Sequence, residues 1–294
     1  MVVKLGRRYI AVDWGTTNRR TYLIEDGQLV RTDRDNLGVT AVTKHGFERE
    51  IAVLRTRFGN LPMLLAGMVG STIGWREVPY VRVPAGLIAL ADGLCPIDDR
   101  TAIVPGLSFV DGANADVMRG EEVQLLGATA AALVPPDAFL CQPGTHCKWA
   151  EMKRGDVARF TTAMTGELFA LIRAHGLLAA QLGGPVSLGT AFDQGVAEGA
   201  RRDLAASLFG IRAAHVLGRR DAGDAASFAS GLLIGGDVAA RLTETRHGTI
   251  HVLADPGLGA LYAAAIEAQG RTAVIVDSHA AFIAGVIHLG KLIS

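Results

Sequence analysis

Asp13, Gly15, Thr16 and Thr17 stand together between two apolar runs. Tyr9 to Val12 has the β-branched, apolar character of a buried strand, and Thr21 to Ile24 repeats it. The stretch reads as strand, tight polar turn, strand. Glycine and hydroxyl residues in such a turn can wrap a phosphate, because successive backbone N–H groups make an anion-binding concavity. A carboxylate at the end of the first strand suits a hydrated Mg²⁺, which takes one or two carboxylates plus phosphate oxygens. An ordinary hairpin with polar turn residues would carry the same letters, and one short motif does not decide between the two.

The second half of the chain repeats the plan. Ala138 to Cys141 is an apolar strand, Pro143-Gly144-Thr145-His146 a polar turn, and Cys147 to Met152 a second strand. A repeated unit, one copy per half, says more than either copy alone. Two such turns facing each other across a cleft would grip a triphosphate from both sides. Gly144 and Thr145 are the foremost contacts, with His146 and Lys148 as further polar neighbours. Later, Ile250 to Leu253 runs into Asp255 to Gly259 and then a helix from Leu261. Glycines in a strand-to-helix turn, here Gly257 and Gly259, let backbone approach a flat ligand such as adenine and ribose. Many strand-to-helix loops look alike in this respect.

Two further stretches carry side chains suited to a small polar ligand. Gly67 to Gly86 is glycine-punctuated, without helical or strand periodicity at its middle, and contains Trp75, Arg76, Glu77 and Tyr80. Loops of this kind often line binding sites. Tryptophan stacks on a sugar face, and arginine clamps a carboxylate with two parallel hydrogen bonds. The plain alternative is a surface loop with Trp75 as its packing anchor. Asp116 is expected to open a helix through "VMRGEEVQLLGATAAAL", where it would either cap the helix or act as a general base toward a substrate hydroxyl. Arg119, Glu121 and Glu122 would lie on the first turns of that helix.

These residues need elements to position them. His45 to Phe58 has helical apolar spacing at Phe47, Ile51, Leu54 and Phe58. Asp26-Gly27 and the Lys153 to Asp156 segment read as hairpin turns. A β-meander followed by alternating helices and strands predicts a mixed sheet. No dinucleotide-binding fingerprint opens a helix after the first strand, and no P-loop sequence occurs. Pro135-Pro136 breaks the chain after an Ala-rich helix. Helices are expected from Thr165 onward, as one run through Arg219, on either side of Gly235-Gly236, and from Asp277 to the end.

At 294 residues two domains are the natural expectation. Lys plus Arg and Asp plus Glu both number 29, so no net field favours nucleic acid or an anionic membrane. Cys95, Cys141 and Cys147 lack metal-type spacing and cannot all pair, which favours a reducing compartment. The N-terminus has no signal-type apolar core, and the apolar C-terminus contains His288 and Lys291 and is short for a membrane span. A cytoplasmic protein is expected, with a small molecule as partner, no nucleic acid and no membrane.

The quoted motifs carry a resemblance. Both strand–Gly-Thr–strand units look like the phosphate motifs of the actin/hexokinase/Hsp70 superfamily. "DWGTTNRRTYLI", "GMVGSTIGWREVPY", "DVMRGEEVQLLGA", "PGTHCKW" and "TTAMTGELFALI" resemble 2-dehydro-3-deoxygalactonokinases, in that order and as far as Leu171. The last third resembles them more loosely, through "SGLLIGGDVAARL" and "LYAAAIEAQG".

The resemblance implies an α/β fold of two ribonuclease H-like domains, each a mixed sheet flanked by helices, with a cleft between them. Residues 1–134, joined by a C-terminal helix 278–294, would form the substrate and phosphate domain, and 135–277 the nucleotide domain. It implies ATP- and Mg²⁺-dependent phosphorylation of 2-dehydro-3-deoxy-D-galactonate on its 6-hydroxyl, in galactonate catabolism. Asp13 would hold the metal. Gly15, Thr16 and Thr17, then Gly144 and Thr145, would hold phosphates, with Pro143 where many relatives place an acid. Asp116 matches the catalytic aspartate of related sugar kinases. Arg20, Trp75, Arg76, Tyr80 and Arg119 are candidates for the sugar acid. Asp255 stands where a glycine is expected near the adenosine. The expected partner is a small sugar acid, and a homodimer is an assembly that this reading admits. Another sugar acid as substrate, or a nucleotide- or sugar-sensing protein that transfers nothing, are the alternatives that the motifs leave open.

Overall fold

The computed structural model describes residues 3–219, 221 and 223–293. By its contacts the chain forms two compact units. The first comprises Met1–Asp137, Glu151–Phe160 and Ser278–Ser294, the second Ala138–Ala150 and Thr161–Asp277.

The sheet of the first unit is built outward from β1 (Arg8–Trp14), whose residues from Tyr9 to Val12 are buried. β2 (Arg19–Glu25) and β3 (Gln28–Asp35) fold back on it as an antiparallel meander. Asp26 and Gly27 both take positive φ, 52° and 73°, the backbone that a two-residue hairpin of favourable twist requires. On the other side β4 (Met63–Gly67) runs parallel to β1, and β7 (Thr101–Ile103) parallel to β4. The sheet order is β3-β2-β1-β4-β7-β6, with β6 being Cys95–Pro96.

Helix α1 (Phe47–Phe58) crosses between the meander and β4 in the chain. Its buried residues are Phe47, Ile51, Leu54 and Phe58, one stripe at helical period, as the spacing predicts. Glu48 and Glu50 lie in its first turn and Arg55 and Arg57 in its last, which complements the helix dipole. A small sheet of β5 (Val81–Arg82), β8 (Leu107–Asp111) and β9 (Asn114–Met118) follows, with α2 (Leu87–Asp92) between its first two strands in sequence. Helix α3 (Glu121–Ala130) packs on the C-terminal helix α9 (Ser278–Leu292). The two backbones nearly touch: a Cβ on Gly127 would lie 2.0 Å from the Ala281 carbonyl oxygen, and one on Gly285 2.2 Å from that of Val123.

The second sheet, in order β12-β11-β10-β13-β14, repeats the plan of the first. Its strands are β10 (Ala138–Gln142), β11 (Cys147–Lys153), β12 (Asp156–Ala163), β13 (Thr249–Leu253) and β14 (Thr272–Val276). Short turns join β10, β11 and β12, a connection open only to antiparallel neighbours. β10, β13 and β14 are parallel. Helices α4 (Thr165–His175), α5 (Thr190–Gly199), α6 (Leu204–Val216), α7 (Ala225–Leu242) and α8 (Pro256–Ala268) complete the unit.

Four expectations change. Asp116 does not open a helix: it lies on β9 opposite Phe109, and α3 begins only at Glu121. The run through Arg219 is two helices, broken between Gly199 and Leu204. Helix α7 continues unbroken through Gly235-Gly236. There glycine serves packing: a Cβ on Gly231 would lie 2.2 Å from the Phe192 carbonyl oxygen of α5, and one on Gly195 2.2 Å from that of Phe228. Finally, α8 starts at Pro256, so Gly257 and Gly259 lie in its first turn rather than in a loop before it. Proline suits that first helical position because its missing N–H would have no partner there.

Candidate active site

The turn after β1 is held from behind. The amides of Gly38, Val39 and Thr40 donate to the carbonyls of Thr17, Gly15 and Thr16 at 3.3, 3.0 and 3.2 Å, and the Thr40 hydroxyl adds a 2.8 Å bond to Thr16. In a trans peptide the N–H points opposite to the C=O. The amides of Thr16, Thr17 and Asn18 therefore face away from that backing, on the side where Thr16 and Thr17 are exposed. This is a concavity of N–H groups of the kind that holds phosphate. It depends on a glycine that the motif does not include: a Cβ on Gly38 would lie 2.3 Å from the Thr16 carbonyl oxygen.

Asp13 is one residue from the end of β1, opposite Arg20 on β2 and Ala66 on β4. Arg20 Nη1 lies 3.8 Å from Asp13 Oδ2, and Arg20 Nε is buried without a partner. Burial pushes the Asp13 carboxyl up to about 6; Arg20 opposes this and the charge of Glu121 adds to it. A cation at Asp13 would offset that buried negative charge, so the side chain fits a metal site. Its neighbour in sequence does different work. The Arg19 side chain is fully buried, forked onto Asp35 at 3.2 and 2.7 Å and bonded to Glu50 at 3.0 Å, with its guanidinium over Trp14.

The carboxylate that Asp13 feels comes from α3. Gly120, at φ +108°, lies so close to Gly67 that an added Cβ would sit 3.2 Å from the Gly67 Cα. Gly67, at φ +93°, in turn approaches Trp14, whose carbonyl oxygen would be 2.8 Å from a Cβ there. These contacts bring the start of α3 against the ends of β1 and β4. Glu121 Oε2 accepts from the Arg119 amide at 3.1 Å, and Glu122 Oε2 from the Gly120 amide at 2.7 Å. Glu122 is wholly buried, and burial pushes its carboxyl up to about 8.

Arg119 itself is buried, with its guanidinium 4.2 Å above the Tyr80 ring and Nη2 donating to the Val78 carbonyl at 2.6 Å. Its Nε and Nη1 are buried without partners. The structure thus pairs Asp13 with Arg20, brings the charge of Glu121 to bear on Asp13, and places Arg119 with Tyr80. Trp75 stacks instead on Phe47, at 6.1 Å and 9°, as a packing anchor on one face. Arg76 is exposed and donates to the Pro96 carbonyl at 3.3 Å. Asp116 accepts from the Val117 amide at 2.7 Å. Its partner across the hairpin, Phe109, packs on Phe160.

In the second unit, Gly144 and Thr145 form the corresponding turn. The first turn of α4 supports it: Glu167 N donates to the Thr145 carbonyl at 2.9 Å, and a Cβ on Gly166 would meet the Gly144 carbonyl oxygen at 2.3 Å. His146 pairs with Glu167 at 2.6 Å, and the buried Lys148 donates to Thr162 at 3.0 Å. Thr165 and Trp149 both donate to Asp237, at 2.8 and 3.1 Å, which fixes α4 on α7. Gly257 has open space where a side chain would be, whereas Gly259 packs toward Ala254 and Ile275. Sequence reasoning missed Gly38, Gly166 and the placement of Glu121. Gly38 stands in no recognised motif and Gly166 reads only as part of a helix start, and each depends on a carbonyl distant in sequence.

The sequence matches the family profile of 2-keto-3-deoxy-galactonokinase over residues 13–289. It is 37% identical over 283 residues to the 2-dehydro-3-deoxygalactonokinase of Escherichia coli K12, covering 95% of this chain and 96% of that one. It is 36% identical over 293 residues to a probable 2-dehydro-3-deoxygalactonokinase of Rhizobium meliloti, with 94% of each chain covered. A crystal structure of a candidate 2-dehydro-3-deoxygalactonokinase from Sinorhizobium meliloti superposes with a TM-score of 0.90 at 35% identity, covering 96% of this chain and 98% of that chain. Component A of the (R)-2-hydroxyglutaryl-CoA dehydratase of Acidaminococcus fermentans shares the fold alone, with a TM-score of 0.52 at 10% identity over 97% of this chain and 98% of that one. The fold class read from the sequence, α/β with mixed sheets flanked by helices, is the one observed. By the extent of these matches, the chain belongs to the 2-keto-3-deoxy-galactonokinase family.

Proposed function

We propose that this protein transfers the terminal phosphoryl group of ATP to the 6-hydroxyl of 2-dehydro-3-deoxy-D-galactonate. The observation that carries the reading is the turn after β1. Its carbonyls are tied back to residues 38–40, its amides face outward, and a partly buried carboxylate, Asp13, stands beside it. That pairing suits a polyphosphate with its metal. Gly15, Thr16 and Thr17 in the first unit and Gly144 and Thr145 in the second would bind phosphate oxygens through amides and hydroxyls. Asp13 would hold Mg²⁺, which when bound neutralises charge on the transferred group.

Arg20 and Arg119 would receive the anionic substrate, since a buried carboxylate is costly without a partner. Tyr80, under the Arg119 guanidinium, would hold that side chain in line. Trp75 and Arg76 would contribute by shaping the loop that carries Tyr80. Gly257, with open space above it in the first turn of α8, would admit the nucleoside, and Gly259 would keep that turn close to Ala254.

A coupled ADP assay with the 2-keto-3-deoxy acids derived from galactonate and gluconate, side by side, tests the reading. Sugar-acid-dependent ADP release with a higher kcat/KM for the galactonate derivative is expected. ADP release that ignores the sugar acid, or favours the gluconate derivative, would contradict it.

A further inference from the structure

Transfer to a hydroxyl needs a group that takes the hydroxyl proton as the new O–P bond forms. Four carboxylates of the first unit have a claim: Asp13, Asp116, Glu121 and Glu122. Asp13 is committed to Arg20 and to the metal position. Asp116 lies on β9, in register with Phe109, and its Oδ1 takes the next amide in its own strand. Glu122 is wholly buried, which shuts it off from a substrate hydroxyl.

Glu121 is the first residue of α3, partly buried where Glu122 is wholly so, and its charge reaches Asp13. Its backbone is held by two successive close approaches, Gly120 on Gly67 and Gly67 on Trp14. Its carboxylate is steadied by the Arg119 amide through Oε2. Two residues before it, Arg119 is buried and its guanidinium keeps Nε and Nη1 without partners. A buried cation with unused donors is expensive unless an anion completes it.

We infer that Glu121, not Asp116, is the catalytic base of the phosphoryl transfer, held in place by Gly120 and by Glu122. One Glu121 carboxylate oxygen takes the proton of the attacking hydroxyl as its oxygen bonds to the γ-phosphorus. The bond from that phosphorus to the β,γ-bridging oxygen breaks, and ADP leaves with the electron pair. The inference rests on the kinase reading above.

The test measures kcat, KM for the sugar acid and ATP affinity in wild type, Glu121→Gln, Glu121→Ala and Asp116→Asn, all as full-length protein with Mg²⁺. Glu121→Gln is expected to lose roughly 10²–10⁴-fold in kcat while KM and ATP affinity stay within a few-fold. Formate is expected to restore part of the kcat of Glu121→Ala, which a merely structural role would not allow. Should Glu121→Gln fold poorly, Glu121→Asp, with a kcat between wild type and Glu121→Gln, decides the matter by the same assay. Wild-type kcat in Glu121→Gln, with the loss falling on Asp116→Asn, would overturn the assignment. A wild type inactive on every sugar acid would instead sink the kinase reading itself.

Discussion

Gly120 and Gly67 meet backbone to backbone: a Cβ on Gly120 would lie 3.2 Å from the Gly67 Cα. This contact joins the start of α3 to the end of β4, and through Gly67 to Trp14 at the end of β1. The end of β1 and the start of α3 are thereby positioned by main chain. Gly67, at φ +93° and ψ −154°, sits in a region open essentially to glycine alone. Gly67→Ala is therefore expected to destabilise the protein by ~1–3 kcal/mol and to lower kcat beyond what the folded fraction explains. Urea unfolding together with kcat at low temperature checks this; wild-type values for both would show that the contact is slack.

The Gly144-Thr145 turn is backed by Gly166, where a Cβ would fall 2.3 Å from the Gly144 carbonyl oxygen. Gly166→Ala must displace that turn. A rise of roughly tenfold in KM for ATP, about 1.4 kcal/mol, is expected, with KM for the sugar acid little changed. Equal rises in both would mean that the turn is not specific to the nucleotide.

Glu122 makes stability depend on pH with a definite sign. Burial first, then the Glu121 charge, raises its carboxyl to about 8 from an ordinary 4.5, against the opposing Glu122 and Gly120 amides and Arg119. The folded state thus keeps a proton that the unfolded chain releases, and stability from this group falls as pH rises from 4.5 toward 8. Glu122→Gln retains an acceptor for the Gly120 amide without the charge. Relative to wild type it should gain ~1–3 kcal/mol at pH 8 and nothing at pH 4. Calorimetry across that range checks it; a variant less stable at pH 8 would show that the charged form is the one that the fold favours.

The seam between α5 and α7 tolerates no side chains where the helices touch. Gly231→Ala would drive a methyl to 2.2 Å from the Phe192 carbonyl oxygen. Overpacking of this kind costs about 1–3 kcal/mol. Chemical denaturation should show that loss, and an unchanged midpoint would mean that the helices part without strain.

Legibility in the sequence followed the range of the forces involved. Phe47, Ile51, Leu54 and Phe58 announce α1 because a helix face is a local period. Asp26-Gly27 announces its hairpin because left-handed backbone is a local demand, and Arg154-Gly155 meets the same demand at φ 54° and 88°. Asp116 misled because its strand exists by pairing with β8, which its own letters do not encode. The start of α3 was hidden because its cap is Gly120, chosen for the approach to Gly67 rather than for a capping side chain. Gly235-Gly236 looked like a break because a pair of glycines signals one, until a neighbouring helix needs the space. The two Gly-Thr turns were readable as turns, but Gly38 and Gly166 behind them were not, since each answers to a distant carbonyl. Glu121 stood in plain sight in the sequence, and only the fold brought it to Asp13.

The central claim is most directly tested by the product itself. Phosphorus and proton NMR of a reaction containing 2-dehydro-3-deoxy-D-galactonate, ATP and Mg²⁺ would locate any ester formed. The account predicts a phosphomonoester coupled to the C6 methylene protons, accumulating in step with ADP. Ester at another carbon, or ADP and inorganic phosphate without any sugar ester, would contradict it.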